Sequence, residues 1–220
     1  QFDKKPKTLK LGLISSDFGN HPGGYFSLST LRELKKKNFD LIAYSNLDRN
    51  DDLSPSFRKL FSKWHSIENK KDDEVIKQIL DDGIHILIDM QGHSGNNRLP
   101  IFMYKAAPIQ ATWHNQGSTG IPEIDYTIGN PYIMPQNEDN HWIEKVFRLP
   151  NTSQCFTPPV FDVQINDLSK LTELLFPRLR IAPKTALRCK YVSEEDALEL
   201  FVKSDWIEHG DMRFAGVQLD

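Results

Sequence analysis

Short apolar blocks, each closed by a polar or glycine-bearing segment, alternate along the first two thirds of the chain with stretches whose apolar positions recur at helical spacing. The first block, Leu9-Lys10-Leu11-Gly12-Leu13-Ile14-Ser15-Ser16, is short and bounded by polar residues, which predicts a buried strand. A helix is expected over residues 24–37. Its last residues, Lys35-Lys36-Lys37, put cations at the negative end of the helix dipole and read as a solvated helix end, not a binding patch. Residues 39–45 predict a second strand, 48–54 a polar loop, 55–62 a short helix and 64–67 a brief strand. Over 72–80, Val75, Ile76, Ile79 and Leu80 have the spacing of a helix with one buried face, and Asp82-Gly83 closes it. Ile84-His85-Ile86-Leu87-Ile88-Asp89-Met90 is almost continuously apolar, as a parallel strand covered on both faces must be.

Strand, helix, strand, helix, strand is the order of an α/β domain with a Rossmann-like, doubly wound parallel sheet. Beyond Met90 the pattern predicts a helix over 99–105 and strands near 109–113, 126–129 and 145–149. The proline-rich stretch 150–159 marks a boundary, so residues 1–159 are expected to form one domain and 160–220 the start of another. Helices are expected there over 167–175 and 193–202, the second opening on Ser193 with acids in its first turn. About 60 residues are few for a whole second α/β domain.

Composition narrows function more than it narrows fold. With 39% hydrophobic residues in 220, the chain can build a core, which excludes a disordered tail or a fibre. Its 27 basic and 30 acidic residues leave a net charge of −3, giving no electrostatic reason to expect nucleic acid or an anionic membrane as partner. Every apolar run is far shorter than a membrane span, and no signal sequence opens the chain, so a soluble, cytoplasmic protein is expected. Two cysteines, Cys155 and Cys189, are too few for a disulfide framework or a four-cysteine zinc site. The chain starts on Gln1 and not on methionine, as a piece of a longer protein would.

In an open α/β sheet, ligands bind beyond the carboxyl ends of the strands, which directs attention to three loops. Residues 15–26 contain Asp17, Asn20 and His21 followed by Pro22-Gly23-Gly24; glycines admit close backbone approach, and the next helix points free amides at an anion. His21 is the side chain there suited to moving a proton near neutral pH, and a poor candidate for a core histidine. No Gly-x-Gly-x-x-Gly dinucleotide fingerprint is present. Residues 89–98 carry His93 among glycines and amides; alone, that loop reads as a capped turn. Residues 113–120 place His114, Asn115 and Gln116 directly after a strand. His85, Asp89 and His93 could be read as metal ligands, but His85 sits in the middle of an apolar run, so no metal site is expected. Serine-hydrolase chemistry lacks its Gly-x-Ser-x-Gly elbow.

Three ordered motifs, Leu11-Gly12-Leu13-Ile14-Ser15-Ser16-Asp17-Phe18-Gly19-Asn20-His21-Pro22, Asp82-Gly83-Ile84-His85-Ile86-Leu87 and Ala107-Pro108-Ile109-Gln110-Ala111-Thr112-Trp113, closely resemble the amino-terminal catalytic lobe of the O-linked N-acetylglucosamine transferase family. Gly92-His93-Ser94, Asn97-Arg98-Leu99, Arg148-Leu149-Pro150 and Cys155-Phe156-Thr157-Pro158-Pro159 are similar to bacterial members and to plant Spindly-type O-fucosyltransferases. The resemblance covers about residues 10–159. It implies the first of two Rossmann-like lobes, with upstream tetratricopeptide repeats presenting an acceptor protein. It also implies an inverting, metal-independent transfer from a nucleotide sugar, as substrate and not cofactor, to serine or threonine hydroxyls. His21 matches the histidine near the reacting sugar; Asp17, Asn20, His93, His114, Asn115 and Gln116 are expected to line the pocket. The family's Leu-Gly-Tyr-Pro-Gly-Thr pattern is altered here to His114-Asn115-Gln116-Gly117-Ser118-Thr119, which leaves UDP-N-acetylglucosamine as the first expectation for the donor and GDP-fucose as the alternative. Because the resemblance places the nucleotide grip in the second lobe, this chain alone is expected to be an inactive fragment. A non-catalytic binding module is the rival from another class.

Overall fold

The computed structural model describes residues 6–114 and 117–158. Within them, seven strands make one sheet: β1 (Lys10–Ser15), β2 (Asp40–Ser45), β3 (Lys63–Ser66), β4 (Ile86–Asp89), β5 (Ile109–Trp113), β6 (Tyr126–Gly129) and β7 (Lys145–Arg148). Each neighbouring pair runs parallel, in the order β3-β2-β1-β4-β5-β6-β7. The connections include helices α1 (Pro22–Lys36), α2 (Ser54–Arg58) and α3 (Asp72–Asp82) and two 3-10 segments, Leu99–Tyr104 and Gln136–His141. This is the doubly wound α/β architecture that the strand–helix alternation predicts. The chain divides into the units Gln1–Pro159 and Val160–Asp220; the second, with the helices expected over 167–175 and 193–202, lies outside the described residues.

Period-two alternation along the strands sorts the apolar residues onto two faces. Leu11 and Leu13 of β1 and Leu41 and Ala43 of β2 join Leu28 and Leu31 of α1 and Phe57 of α2 in one buried cluster. Ile14, Ile42 and Tyr44 join Val75 and Ile79 of α3 and Ile101 and Phe102 in the other. Both faces of the central strands are therefore dry, which is why they read as continuous apolar runs. On the α1 side, Leu11, Leu13, Leu31, Ile88, Trp113 and Phe147 help to line an apolar cavity of about 300 Å³, with Cys155 also in its lining. No helix among the described residues is long and apolar enough to cross a membrane.

Helix ends follow local chemistry. Lys35 and Lys36 close α1 where the dipole favours cations. At the start of α3, the Lys71 backbone N–H donates to the Glu74 carboxylate (2.9 Å), and Gly83 ends the helix at φ 65°, a left-handed cap. Leu80, expected on the buried face, is 48% exposed, and the face is carried by Val75 and Ile79. The helix expected over 99–105 is a six-residue 3-10 segment, because the stretch between Arg98 and the left-handed Lys105 (φ 48°) is too short for two α turns. β4 starts at Ile86, two residues later than the apolar run. His85 turns its Nδ1 to accept from the Lys10 backbone N–H (3.0 Å), so a side chain stands where a strand carbonyl would otherwise be.

Candidate active site

The sheet order reverses its direction of growth at β1, which has β2 on one side and β4 on the other. From β1 the chain turns through α1 toward β2, whereas β4 and everything after it build on the opposite side. Loops 16–21 and 90–98 therefore leave the carboxyl ends of β1 and β4 on the two sides of the switch point, where sheets of this kind form their ligand crevice.

The β1 loop is held by a dense polar network. Asp17 is 8% exposed. Its Oδ1 accepts from Arg49 (3.1 Å) and from the Ser16 hydroxyl (3.1 Å), and its Oδ2 lies 3.0 Å from His21 Nδ1 and accepts from Gln91 Nε2 (3.3 Å). Arg49 Nε also donates to the Ser16 carbonyl (2.7 Å), so one guanidinium clamps both residues. Gln91 spans the crevice: its Oε1 accepts from the Ser16 backbone N–H and from the Ser15 hydroxyl (3.4 Å). Asn20 is fixed at the rim, its backbone N–H donating to Asp51 (2.7 Å) and its side-chain oxygen accepting from Tyr25 (3.0 Å). Burial would raise the Asp51 carboxyl, but the Asn20 donation and further ones to Asp51 from the Leu53 backbone N–H (3.0 Å) and the Ser54 backbone N–H and hydroxyl (2.9 Å each) hold it below its ordinary range.

His21 is the N-cap of α1, with its Nδ1 within 3.2 Å of the Gly23 backbone N–H, and Pro22 begins the helix with the fixed φ suited to a first turn. Gly24 follows by necessity: a Cβ there would collide with the Gly19 carbonyl oxygen. The His21 side chain remains 42% exposed. A proton-moving group thus faces solvent at the crevice while its supports are buried.

The β4 loop is organised by Asp89, which is 1% exposed. It accepts from the backbone N–H groups of Gln91 (3.1 Å) and Gly92 (2.9 Å) and from the Thr112 hydroxyl (2.7 Å). Burial raises its pKa, against the pull of those hydrogen bonds. His93 is exposed and its Nε2 lies 3.1 Å from the Ser118 carbonyl; a carbonyl only accepts, so Nε2 carries the proton. The β5 loop is anchored by Glu144, which is buried and accepts from the Ser118 hydroxyl (2.8 Å) and the Thr119 backbone N–H (2.7 Å).

His114 leaves β5 at φ 69°, a left-handed conformation that costs a non-glycine residue free energy. Its ring lies 4.0 Å from that of Trp113. Both ring nitrogens are buried with no hydrogen-bond partner among the described residues, and burial lowers the imidazole pKa to about 4, so the ring is neutral at physiological pH.

The structure thus brings Asp17 and His21 together, fixes Asn20 beside them, ties His93 to the β5 loop and leaves His114 strained at the end of β5. Asn115 and Gln116 lie outside the described residues. His85, Asp89 and His93 are engaged separately, with Lys10, with Thr112 and the loop amides, and with Ser118. Two residues that sequence reasoning missed, Arg49 and Gln91, hold the Asp17 carboxylate. Gln91 had a legible signal, a polar side chain directly following a buried strand.

A model of glycosyl transferase family 41 matches residues 1–156. The chain belongs to glycosyl transferase family 41. Among family 41 relatives, the Solanum lycopersicum protein named "Probable UDP-N-acetylglucosamine--peptide N-acetylglucosaminyltransferase SPINDLY" is 31% identical over 157 residues, 69% of this chain and 17% of the relative. The Caenorhabditis elegans UDP-N-acetylglucosamine–peptide N-acetylglucosaminyltransferase is 31% identical over 148 residues, covering 66% of this chain and 13% of the relative. A mutant of the Thermobaculum terrenum O-GlcNAc transferase superposes with a TM-score of 0.68 at 27% identity, over 79% of this chain and 37% of that one. The chain therefore spans about a sixth of the length of the first curated relative.

Proposed function

We propose that this chain supplies the crevice lobe of an inverting transferase that moves N-acetylglucosamine from its uridine diphosphate ester to serine or threonine hydroxyls of proteins. The observation that carries the reading is the half-exposed His21 at the switch point of a family 41 lobe, with a buried carboxylate against its inner nitrogen. In the proposed step the acceptor oxygen attacks the anomeric carbon and forms the new C–O bond. The bond to the diphosphate breaks with its electron pair on the leaving phosphate oxygen, and the acceptor's proton goes to His21 Nε2. A base so placed contributes roughly 10²–10⁴-fold. The nucleotide sugar enters as a substrate, and the step uses no cofactor.

Asn20, His93 and the 114–116 loop border the donor in this reading, with the diphosphate held by chain outside the described lobe and the acceptor presented by upstream repeats, in the cytoplasm. Titration of the full-length protein with UDP-N-acetylglucosamine and GDP-fucose tests it. Saturable binding of the uridine nucleotide is expected. Preference for GDP-fucose would keep the transferase class and replace the donor, and binding of neither would contradict the reading. A second reading, a non-catalytic binding module, draws on the altered sequence of residues 114–119, where His114 takes a left-handed backbone. Binding of a donor without turnover would favour it.

A further inference from the structure

Two contacts compete for one atom. His21 Nδ1 lies 3.0 Å from Asp17 Oδ2 and 3.2 Å from the Gly23 backbone N–H. A carboxylate oxygen accepts and an amide N–H donates, so Nδ1 satisfies the first only when it carries a proton and the second only when it does not. Each choice dictates the other nitrogen of a neutral ring. With Nδ1–H toward Asp17, Nε2 presents a lone pair to the crevice; with Nδ1 capping α1, Nε2 holds the proton and cannot accept one.

Several observations favour the first state. A hydrogen bond to an ionised acceptor is about twice as strong as a neutral one. Asp17 is 8% exposed and held from its other side by Arg49, Ser16 and Gln91, so its oxygen cannot swing away. Serine, threonine, aspartate and asparagine are the preferred N-caps, and the loop holds Ser15, Ser16, Asp17 and Asn20, yet the capping position is occupied by an imidazole.

We propose that Asp17 is the positioning residue that sets the His21 tautomer, holding Nδ1 protonated so that Nε2 is the open base, and that it does so against the competing cap on α1. The proposal rests on the transferase reading for its consequence, but not for the tautomer itself. Asp17 takes no proton: when Nε2 accepts one from the acceptor hydroxyl, the imidazolium sits between the carboxylate and the crevice, and the positive charge is offset where it forms. Charge on this carboxylate is already shared with Arg49 at 3.1 Å, so Arg49 fixes the geometry while moderating the attraction.

The test is Asp17→Asn. Arg49 and the Ser16 hydroxyl both donate to Oδ1, the first of them charged, against the single longer donation from Gln91 Nε2 (3.3 Å) to Oδ2, so they keep the amide oxygen on their side and turn the NH₂ toward His21. That NH₂ donates to Nδ1, joins the cap in favouring the unprotonated state, and drives the ring to Nε2–H. Two-bond ¹H–¹⁵N spectra of this chain at about pH 8, above the ordinary imidazole range, read the tautomer directly. The His21 signals among the seven histidines are assigned by their loss in His21→Gln. The wild type should show the Nδ1–H form and Asp17→Asn the Nε2–H form. An unprotonated Nδ1 in the wild type, which needs no variant to fold, would overturn the proposal, as would an Nδ1–H form that survives in Asp17→Asn. In the full-length protein, kcat should fall about 10²-fold or more with donor KM little changed, and an unchanged kcat would also overturn it. Should the full-length protein transfer no sugar at all, the transferase reading fails while the spectra still decide the tautomer.

Discussion

His114 gives the clearest coupling between the site and stability. Burial holds its imidazole neutral and lowers the pKa from 6.5 to about 4, with both ring nitrogens sealed from water. Between those pH values the unfolded chain takes up a proton that the folded chain refuses. Stability that is complete above about pH 6.5 therefore drains as pH falls toward 4. Each pH unit removes about 1.4 kcal/mol, so the whole descent costs roughly 3 kcal/mol, a large share of the 5–15 kcal/mol typical of a folded domain. Asparagine is the substitution of choice, because it tolerates φ near +69° and does not titrate. Urea unfolding of wild type and His114→Asn, followed by far-ultraviolet circular dichroism in steps from about pH 7.5 to 4.5, isolates the group, since all other titrations cancel in the difference. The variant should lose roughly 2.5 kcal/mol less than the wild type across that range. A difference between the two proteins that stays constant with pH would refute the reasoning.

Two further outcomes follow from the polar networks. Gln91→Ala removes the only side chain described between the Ser16 amide and the β4 loop, leaving a buried N–H unsatisfied; a cost of about 1–3 kcal/mol and faster hydrogen exchange at Ser16 are expected. For Asp82, burial alone would raise the carboxyl, but hydrogen bonds from Lys63 and Tyr44 and the charges of His65 and Lys63 hold it below its ordinary range. Its contribution is present above the usual carboxylate pKa and is lost as pH falls through the lowered one. Tyr44→Phe, which deletes a 2.9 Å donor, should cost about 1–2 kcal/mol near pH 7, measured as a shift in urea midpoint, and less in acid.

The sheet was legible because parallel strands buried on both faces leave unbroken apolar runs such as residues 84–90, and because α1 and α3 alternate with them. The 3-10 geometry of Leu99–Tyr104 was not, since the constraint is the left-handed Lys105 and the room between neighbouring elements, neither of which has a periodic signature. His21 could be found from its place after the first strand. Its supports could not: Arg49 comes from the loop after β2, and only the strand order carries it to the β1 loop. His114 was legible as a loop residue next to a strand, but its backbone strain and sealed nitrogens depend on packing around Trp113 and the β5 exit. The apolar pattern thus locates the crevice, and the polar contacts that tune it emerge only when distant loops meet.

The central claim is that His21 takes the acceptor's proton in sugar transfer. It is tested most directly by the rate of N-acetylglucosamine transfer from the uridine nucleotide to a serine- or threonine-bearing protein, comparing the full-length wild type with His21→Ala under donor saturation. The account predicts transfer by the wild type and a loss of about 10²-fold or more in the variant, with the circular dichroism spectrum unchanged. Transfer by His21→Ala at the wild-type rate would contradict it.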